Sequence, residues 1–170
     1  MRNMLSISIR DRISVHPLLY EIISLLLLVG IIVFAVKGGL ILGLQSSSPI
    51  MGVSSGSMTH SDDSWKNYYY RENYDPSEFP FQRGIREGDL VFVKGVHSYE
   101  DINVGDVVIW WDGDRELKII HRIVEINKDR NYIRTKGDAV PQPDDKIPFK
   151  NIIGKAVFSI PYLGYPSQAI

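Results

Sequence analysis

The sequence predicts a mainly β protein: an antiparallel β domain carried on a single N-terminal transmembrane helix. Three observations lead to this reading. One long apolar run lies near the N-terminus, and the rest of the chain is a series of short Val/Ile/aromatic runs separated by Gly, Asp, Asn and Pro. There is no alternation of strand and helix patterns of the kind that builds a parallel α/β sheet. The 170 residues suffice for one domain with a real core, plus an anchor.

The apolar run comes first. Residues 18–36 read LLYEIISLLLLVGIIVFAV, and from Ile22 to Val36 only Ser24 and Gly30 relieve it. After Lys37 the apolar character resumes in GGLILGL, up to Leu44. A membrane span needs about 20 mostly apolar residues. This stretch supplies them when Lys37 extends its ammonium toward an interface. Pro17 suits the first turn of a helix, and Glu21 lies near the helix start, within reach of water. A buried globular helix is not usually apolar all round for this length. A cleaved secretory signal has a shorter apolar run and an Ala-x-Ala-like exit, for which GGL or SSS serves only weakly. A permanent anchor is therefore expected. Arg2, Arg10 and Arg12 precede the run, and Lys37 is the main basic residue against that trend. The positive-inside rule then puts the N-terminus in the cytoplasm and everything after about Leu44 on the far side. The expected organisation is a cytoplasmic segment at 1–17, an anchor and connector at 18–44, and an extracytoplasmic β domain at 45–170. The expected location is the cell membrane, as a single-pass protein.

Within the β domain, QSSSP at 45–49 reads as a connector. The strand signals are IMGV, DLVFVKGV, DVVIWW, LKIIHRIVEI, NYIRTKG and NIIGKAVFSI. NKDRN at 127–131 has the composition of a hairpin loop between two of them. The stretch from about 60 to 87 differs, being polar and aromatic, and reads as an insertion. Its aromatics (Trp65, Tyr68, Tyr69, Tyr70, Tyr74, Phe79, Phe81) suit either a lipid interface or a satellite core packed on the sheet. The second is preferred, because exposed aromatic patches are the exception. The C-terminal IPYLGYPSQAI is too short and too broken by Pro and Gly for a second span.

Composition removes several function classes. Lys plus Arg is 19 and Asp plus Glu is 20, a net charge of −1, so no basic face for nucleic acid is expected. The absence of cysteine rules out disulfides, thiolate metal sites and a cysteine nucleophile. Four histidines without an HExxH or comparable cluster give no catalytic metal site, and no cofactor is expected.

Three segments carry candidate chemistry. VSSGSM at 53–58 alternates Ser and Gly directly after a short apolar strand. A serine hydroxyl is a weak nucleophile until a base activates it, and glycine beside it permits a tight path and close substrate approach. Ser-Gly turns are also common for no catalytic reason. His121 stands in the run KIIHRIVEI, on the face opposite Ile120 and Arg122. A lone strand histidine is more often structural. His16, His60 and His97 have no comparable setting. In TKGDAVPQPDD, Gly137 and the prolines force a turn that gathers Asp138, Asp144 and Asp145. These acids are either a solvated loop or the carboxylate that fixes an imidazole tautomer. In the order Ser, His, Asp the three segments fit an activated-serine mechanism.

With these blocks assembled, the sequence resembles a type I signal peptidase of the archaeal and endoplasmic-reticulum type. The resemblance runs through the N-terminal span, SSGSM at 54–58, GDLVFV at 88–93, GDVVIW at 105–110, HRIVEI at 121–126 and TKGDAVPQPDD at 135–145. It implies a β domain of signal-peptidase type and a membrane-bound serine endopeptidase that removes N-terminal signal peptides from exported preproteins. It implies Ser57 as nucleophile, His121 as base, and an oxyanion hole from the Ser57 N–H and the Ser55 hydroxyl. Asp138 and Asp144 match the two family acids, with Asp144 as the triad member, Asp138 in support and Asp145 as the adjacent alternative. The implied partners are signal peptides, membrane lipid and the protein-export translocon. The sequence departs from the family pattern after Met58, where Thr59, His60 and the aromatic insertion replace the Glu-Pro that many relatives carry.

Other readings remain open at this level. Bacterial relatives use a Ser/Lys pair, for which Lys118 or Lys136 would be the base; Lys118 faces away from His121 on the same strand. A repressor-type self-cleaving protease would need that pair and usually a DNA-binding domain. A membrane-tethered, non-catalytic β domain that binds export substrates or partner subunits is the alternative outside catalysis.

Overall fold

The computed structural model describes residues 17–164. The expectations resting on Arg2, Arg10, Arg12, His16 and the last six residues lie outside that range. The chain divides into two compact units, between Gly39 and Leu40.

Helix α1, Pro17–Leu44, makes up the described part of the first unit and runs on to Leu44; its 28 residues are all unburied. At 1.5 Å per residue the helix is about 42 Å long, against a bilayer hydrocarbon core of about 30 Å. By length and composition it is the one described helix able to cross a membrane. Most of its leucines, its isoleucines and Phe34 are exposed, as for a helix whose solvent is lipid rather than water.

The second unit is a seven-stranded antiparallel sheet, as the short apolar runs predict. Its strands are β1 (Ile50–Gly52), β2 (Leu90–Gly95), β3 (Val107–Asp112), β4 (Leu117–Asn127), β5 (Tyr132–Lys136), β6 (Ile147–Pro148) and β7 (Ile152–Ile160). Their order across the sheet is β1-β2-β7-β3-β4-β5-β6. The last long strand therefore inserts between β2 and β3 and holds the two halves together. The hairpin expected at NKDRN joins β4 to β5, with Asn127 opposite Tyr132. It closes with Arg130 N–H donating to Asn127 Oδ1 at 2.9 Å and Asn131 in the left-handed region at φ 55°, a conformation asparagine tolerates. The two-residue β6 was not legible among the apolar runs.

Alternation along β3 feeds two cores. Val107 and Ile109 join Val53, Met58, Ile85, Val91, Val93, Ile120 and Ala156, while Val108 and Trp110 join Ile102, Ile119, Ile123, Ile133 and Ile147. Each fully buried aliphatic side chain contributes about 1.5–3 kcal/mol relative to exposure. Both faces of the sheet are thus covered.

The polar and aromatic stretch at 60–87 contributes to a third cluster. Helix α2, Lys66–Arg71, and a 3-10 turn at Pro76–Glu78 place Trp65 and Tyr69 against Val124, with Tyr68, Phe79 and Val104 around them. Val124 is available because the β4–β5 register shifts between Ile123 and Glu125, and such a bulge re-aims one side chain. The Phe79 ring lies on Gly105, where a Cβ would come within 2.6 Å of it. The satellite core is therefore the reading that holds for Trp65, Tyr69 and Phe79, while Tyr70 and Tyr74 are exposed.

Candidate active site

The serine segment leaves the sheet at Val53, whose N–H donates to the Asp89 carbonyl at 2.9 Å and whose carbonyl accepts from Gly88 at 2.8 Å. A turn follows, closed by Thr59 N–H to the Gly56 carbonyl at 3.0 Å. Met58 is fully buried in the core, and its carbonyl accepts from the Ile85 N–H at 2.9 Å. That buried side chain is what pins the turn. Ser57, one residue earlier, is half-buried, and its carbonyl accepts from the Ala139 N–H at 2.9 Å. The Ser55 and Ser57 hydroxyls share a hydrogen bond at 3.3 Å.

His121 enters from the middle of β4, opposite Val108, and is only 8% exposed. Its Nδ1 donates to Asp144 Oδ2 at 2.6 Å. An ionised carboxylate only accepts, so this bond fixes the proton on Nδ1 and leaves Nε2 with a free lone pair in the neutral ring. Nε2 lies over Gly137, one position past the Arg122–Lys136 pair. A Cβ on Gly137 would stand 2.8 Å from that nitrogen and 2.9 Å from the Ser57 carbonyl oxygen. The imidazole and the serine backbone therefore converge on one glycine. The Ser57 hydroxyl bonds to Ser55 rather than to the ring.

Of the three gathered acids, Asp144 meets the imidazole. Its N–H donates to the Thr135 carbonyl at 2.8 Å, its Oδ2 accepts from Thr135 Oγ1 at 2.5 Å, and its carbonyl accepts from Arg134 Nε at 3.1 Å. Asp145 is exposed.

Asp138 belongs to a different group. Arg122 Nη2 and His60 Nε2 both donate to its Oδ2 at 2.7 Å, and Arg122 Nε reaches Oδ1 at 3.1 Å. Burial alone pushes this carboxyl up, but hydrogen bonds from His60 and Arg122, with the Arg122 charge, outweigh burial and hold it below the ordinary carboxylate value. Arg122 is fully buried, and its Nη1 donates to the carbonyls of Pro80 at 2.6 Å and Gly105 at 2.9 Å. Its guanidinium lies over the Trp65 ring, 4.6 Å from the centroid. His60 and Arg122 are the functional-site neighbours that sequence reasoning passed over. The available signal was Arg122 itself: an arginine between apolar residues of a buried strand requires a carboxylate.

The two alternative bases are placed otherwise. Lys118 is exposed, opposite Trp111 at the far end of the β3–β4 ladder. Lys136 is buried, and its Nζ donates to the Gly137 carbonyl at 3.1 Å. Burial lowers its affinity for a proton below that of an ordinary lysine, while Asp138 opposes the shift.

A mainly β domain after one apolar helix, with a serine turn set against a histidine–carboxylate pair, has the composition of a membrane-bound serine hydrolase. Comparison with known proteins narrows the class. The chain is 32% identical over 142 residues to the signal peptidase complex catalytic subunit SEC11 of Fusarium vanettenii, covering 78% of this chain and 69% of that protein. The subunit of the same name from Pyricularia oryzae is 28% identical over 142 residues, with the same shares covered, 78% and 69%. The signal peptidase complex catalytic subunit SEC11C of Canis lupus familiaris is 27% identical over 165 residues, covering 90% of this chain and 72% of that protein. No family model matches. The chain belongs to the family of signal peptidase catalytic subunits.

Proposed function

We propose that this protein is a serine endopeptidase of the membrane that cleaves N-terminal signal peptides from exported preproteins, with Ser57 as nucleophile, His121 as base and Asp144 as the carboxylate behind the ring. What carries the reading is the 2.6 Å bond from His121 Nδ1 to Asp144, combined with the approach of Nε2 and the Ser57 carbonyl to Gly137. The bond leaves the outer nitrogen free to accept a proton on the side where the serine segment runs.

In the reaction, Ser57 Oγ attacks the scissile carbonyl while His121 Nε2 takes the hydroxyl proton. The oxyanion is held by the Ser57 N–H and the Ser55 hydroxyl, and the 3.3 Å spacing of the two hydroxyls supports that pairing. His121 then gives its proton to the leaving amine. Water, deprotonated by the same ring, hydrolyses the acyl-enzyme and regenerates the serine. Asp144 stays ionised and stabilises the imidazolium. Asp138 supports the loop from outside the proton path.

The apolar helix and the protease belong to one chain, so tethering raises the local concentration of membrane-held substrates. The orientation that fits is N-terminus in the cytoplasm and β domain beyond the membrane. Its partners would be signal peptides, the surrounding lipid and the export translocon.

Processing of a preprotein by the full-length chain in lipid vesicles tests the assignment. Ser57→Ala and His121→Ala are each expected to lose several orders of magnitude in rate, about 10⁴-fold or more. Ser55→Ala is expected to lose about 10²- to 10³-fold with its thermal midpoint unchanged, the side chain being exposed. Near-normal cleavage by His121→Ala would end the triad reading.

A further inference from the structure

We propose that His60 is a positioning residue for the nucleophile: as an imidazolium it ties the chain just beyond Ser57 to Asp138, and losing a ring proton loosens that tie. This rests on the Ser57–His121–Asp144 reading above.

The side chain of His60 is 7% exposed. Its Nδ1 is 3.1 Å from the Gln82 carbonyl oxygen, and its Nε2 is 2.7 Å from Asp138 Oδ2. A backbone carbonyl and an ionised carboxylate both only accept. Asp138 is not the donor, because Arg122 delivers Nε and Nη2 to the same carboxylate and favours its ionised form. Each ring nitrogen must then carry a proton, and the ring is positively charged. Asp138 and the Trp65 face favour that charge, while the Arg122 guanidinium on the same carboxylate opposes it. The ring stacks on Trp65 with centroids 4.6 Å apart and planes at 21°. The charged groups facing this assembly include Asp138, Arg122 and Lys66, whose Nζ is 5.7 Å from the Trp65 ring centroid; Asp62, Arg71 and Lys136 line the same cavity with His60. Tyr69, packed against Trp65, senses the Asp138 charge.

The position of this bond matters for Ser57. The loop after β5 grips the serine segment at two points. Ala139 N–H holds the Ser57 carbonyl at 2.9 Å, and the adjacent Asp138 holds His60, three residues farther on, at 2.7 Å. Gly137, next in the same loop, packs against His121 Nε2. The two grips set where the serine stands relative to its base. A neutral ring has one N–H for two acceptors, so the His60 bond to either the Gln82 carbonyl or Asp138 is lost, while Arg122 still donates to Asp138. The segment then shifts against the imidazole, which affects the chemical step more than substrate binding.

The test measures kcat and KM for signal-peptide cleavage across pH, with the full-length chain in vesicles. His60→Gln should lower kcat about 10-fold with KM nearly unchanged. An independent readout on the unaltered protein is the ¹⁵N shift of the two His60 ring nitrogens, both of which should be protonated where activity is maximal. A neutral His60 ring there overturns the proposal, as does a His60→Gln profile identical to wild type. Cleavage that survives Ser57→Ala instead overturns the underlying site assignment.

Discussion

Gly137 and His121 are so close that a methyl group on the glycine would stand 2.8 Å from the imidazole Nε2. The same methyl would press on the Val140 side chain at 2.8 Å and on the Ser57 carbonyl at 2.9 Å. The glycine is required here by close approach rather than by a turn. It lets the serine segment and the His121 ring occupy adjoining space.

Gly137→Ala should therefore separate Ser57 from His121. A displacement of about 1 Å costs about 100-fold in rate, while overpacking costs about 1–3 kcal/mol of stability. Cleavage assays beside thermal unfolding check this: activity should fall far more than the folded fraction. Wild-type turnover by Gly137→Ala would show that the loop is free to move away.

The three acids separate by mutation. Asp144→Asn keeps the shape but removes the charge behind His121 and permits the wrong tautomer, so kcat should fall about 10⁴-fold. Asp145→Asn, altering an exposed side chain, should cleave at nearly the wild-type rate. Thr135→Val removes the hydroxyl that donates to Asp144 at 2.5 Å, and about 10-fold loss is expected from a partner that orients the acid. Equal losses in Asp144→Asn and Asp145→Asn would mean that the loop rearranges around the ring.

Asp138 makes a stability prediction with a definite sign. Its carboxyl is held below the ordinary value in the folded chain by His60 and Arg122 against the cost of burial. A depressed carboxylate contributes stability that is present above its unfolded value and lost as pH falls through the folded one. The thermal midpoint should thus decline on acidification below the ordinary carboxylate range. Asp138→Asn should be destabilised near neutrality by about 3–5 kcal/mol, because Arg122 remains buried without its counter-charge. Its midpoint should also vary less with acid pH than that of the wild type. An unchanged acid limb in the variant would assign the decline to other carboxylates.

Much of the molecule was legible from residue order alone, because it depends on local pattern. Period-two apolar runs and the loop at 127–131 mark strands and a hairpin wherever they occur, and a helix apolar on every side declares its solvent. The VSSGSM, HRIVEI and TKGDAVPQPDD blocks marked Ser57, His121 and the acids as candidates in the same way. What residue order left open was decided by packing. Asp138 and Asp144 are both acids of one loop, and their roles diverge through contacts with Arg122, His60 and Thr135 from other parts of the chain. His60 carried no local signal, since its partners lie 22 and 78 residues away.

The sequence by itself thus determined the main elements and the side chains that have the chemistry to react: a long apolar helix, an antiparallel sheet, a serine turn, one strand imidazole and a set of carboxylates. Only the tertiary structure decided which carboxylate backs the imidazole and which neutralises a buried arginine. The physical reason is that hydrogen bonds between distant segments act over about 3 Å, a distance that chain spacing does not encode and that only the folded core sets.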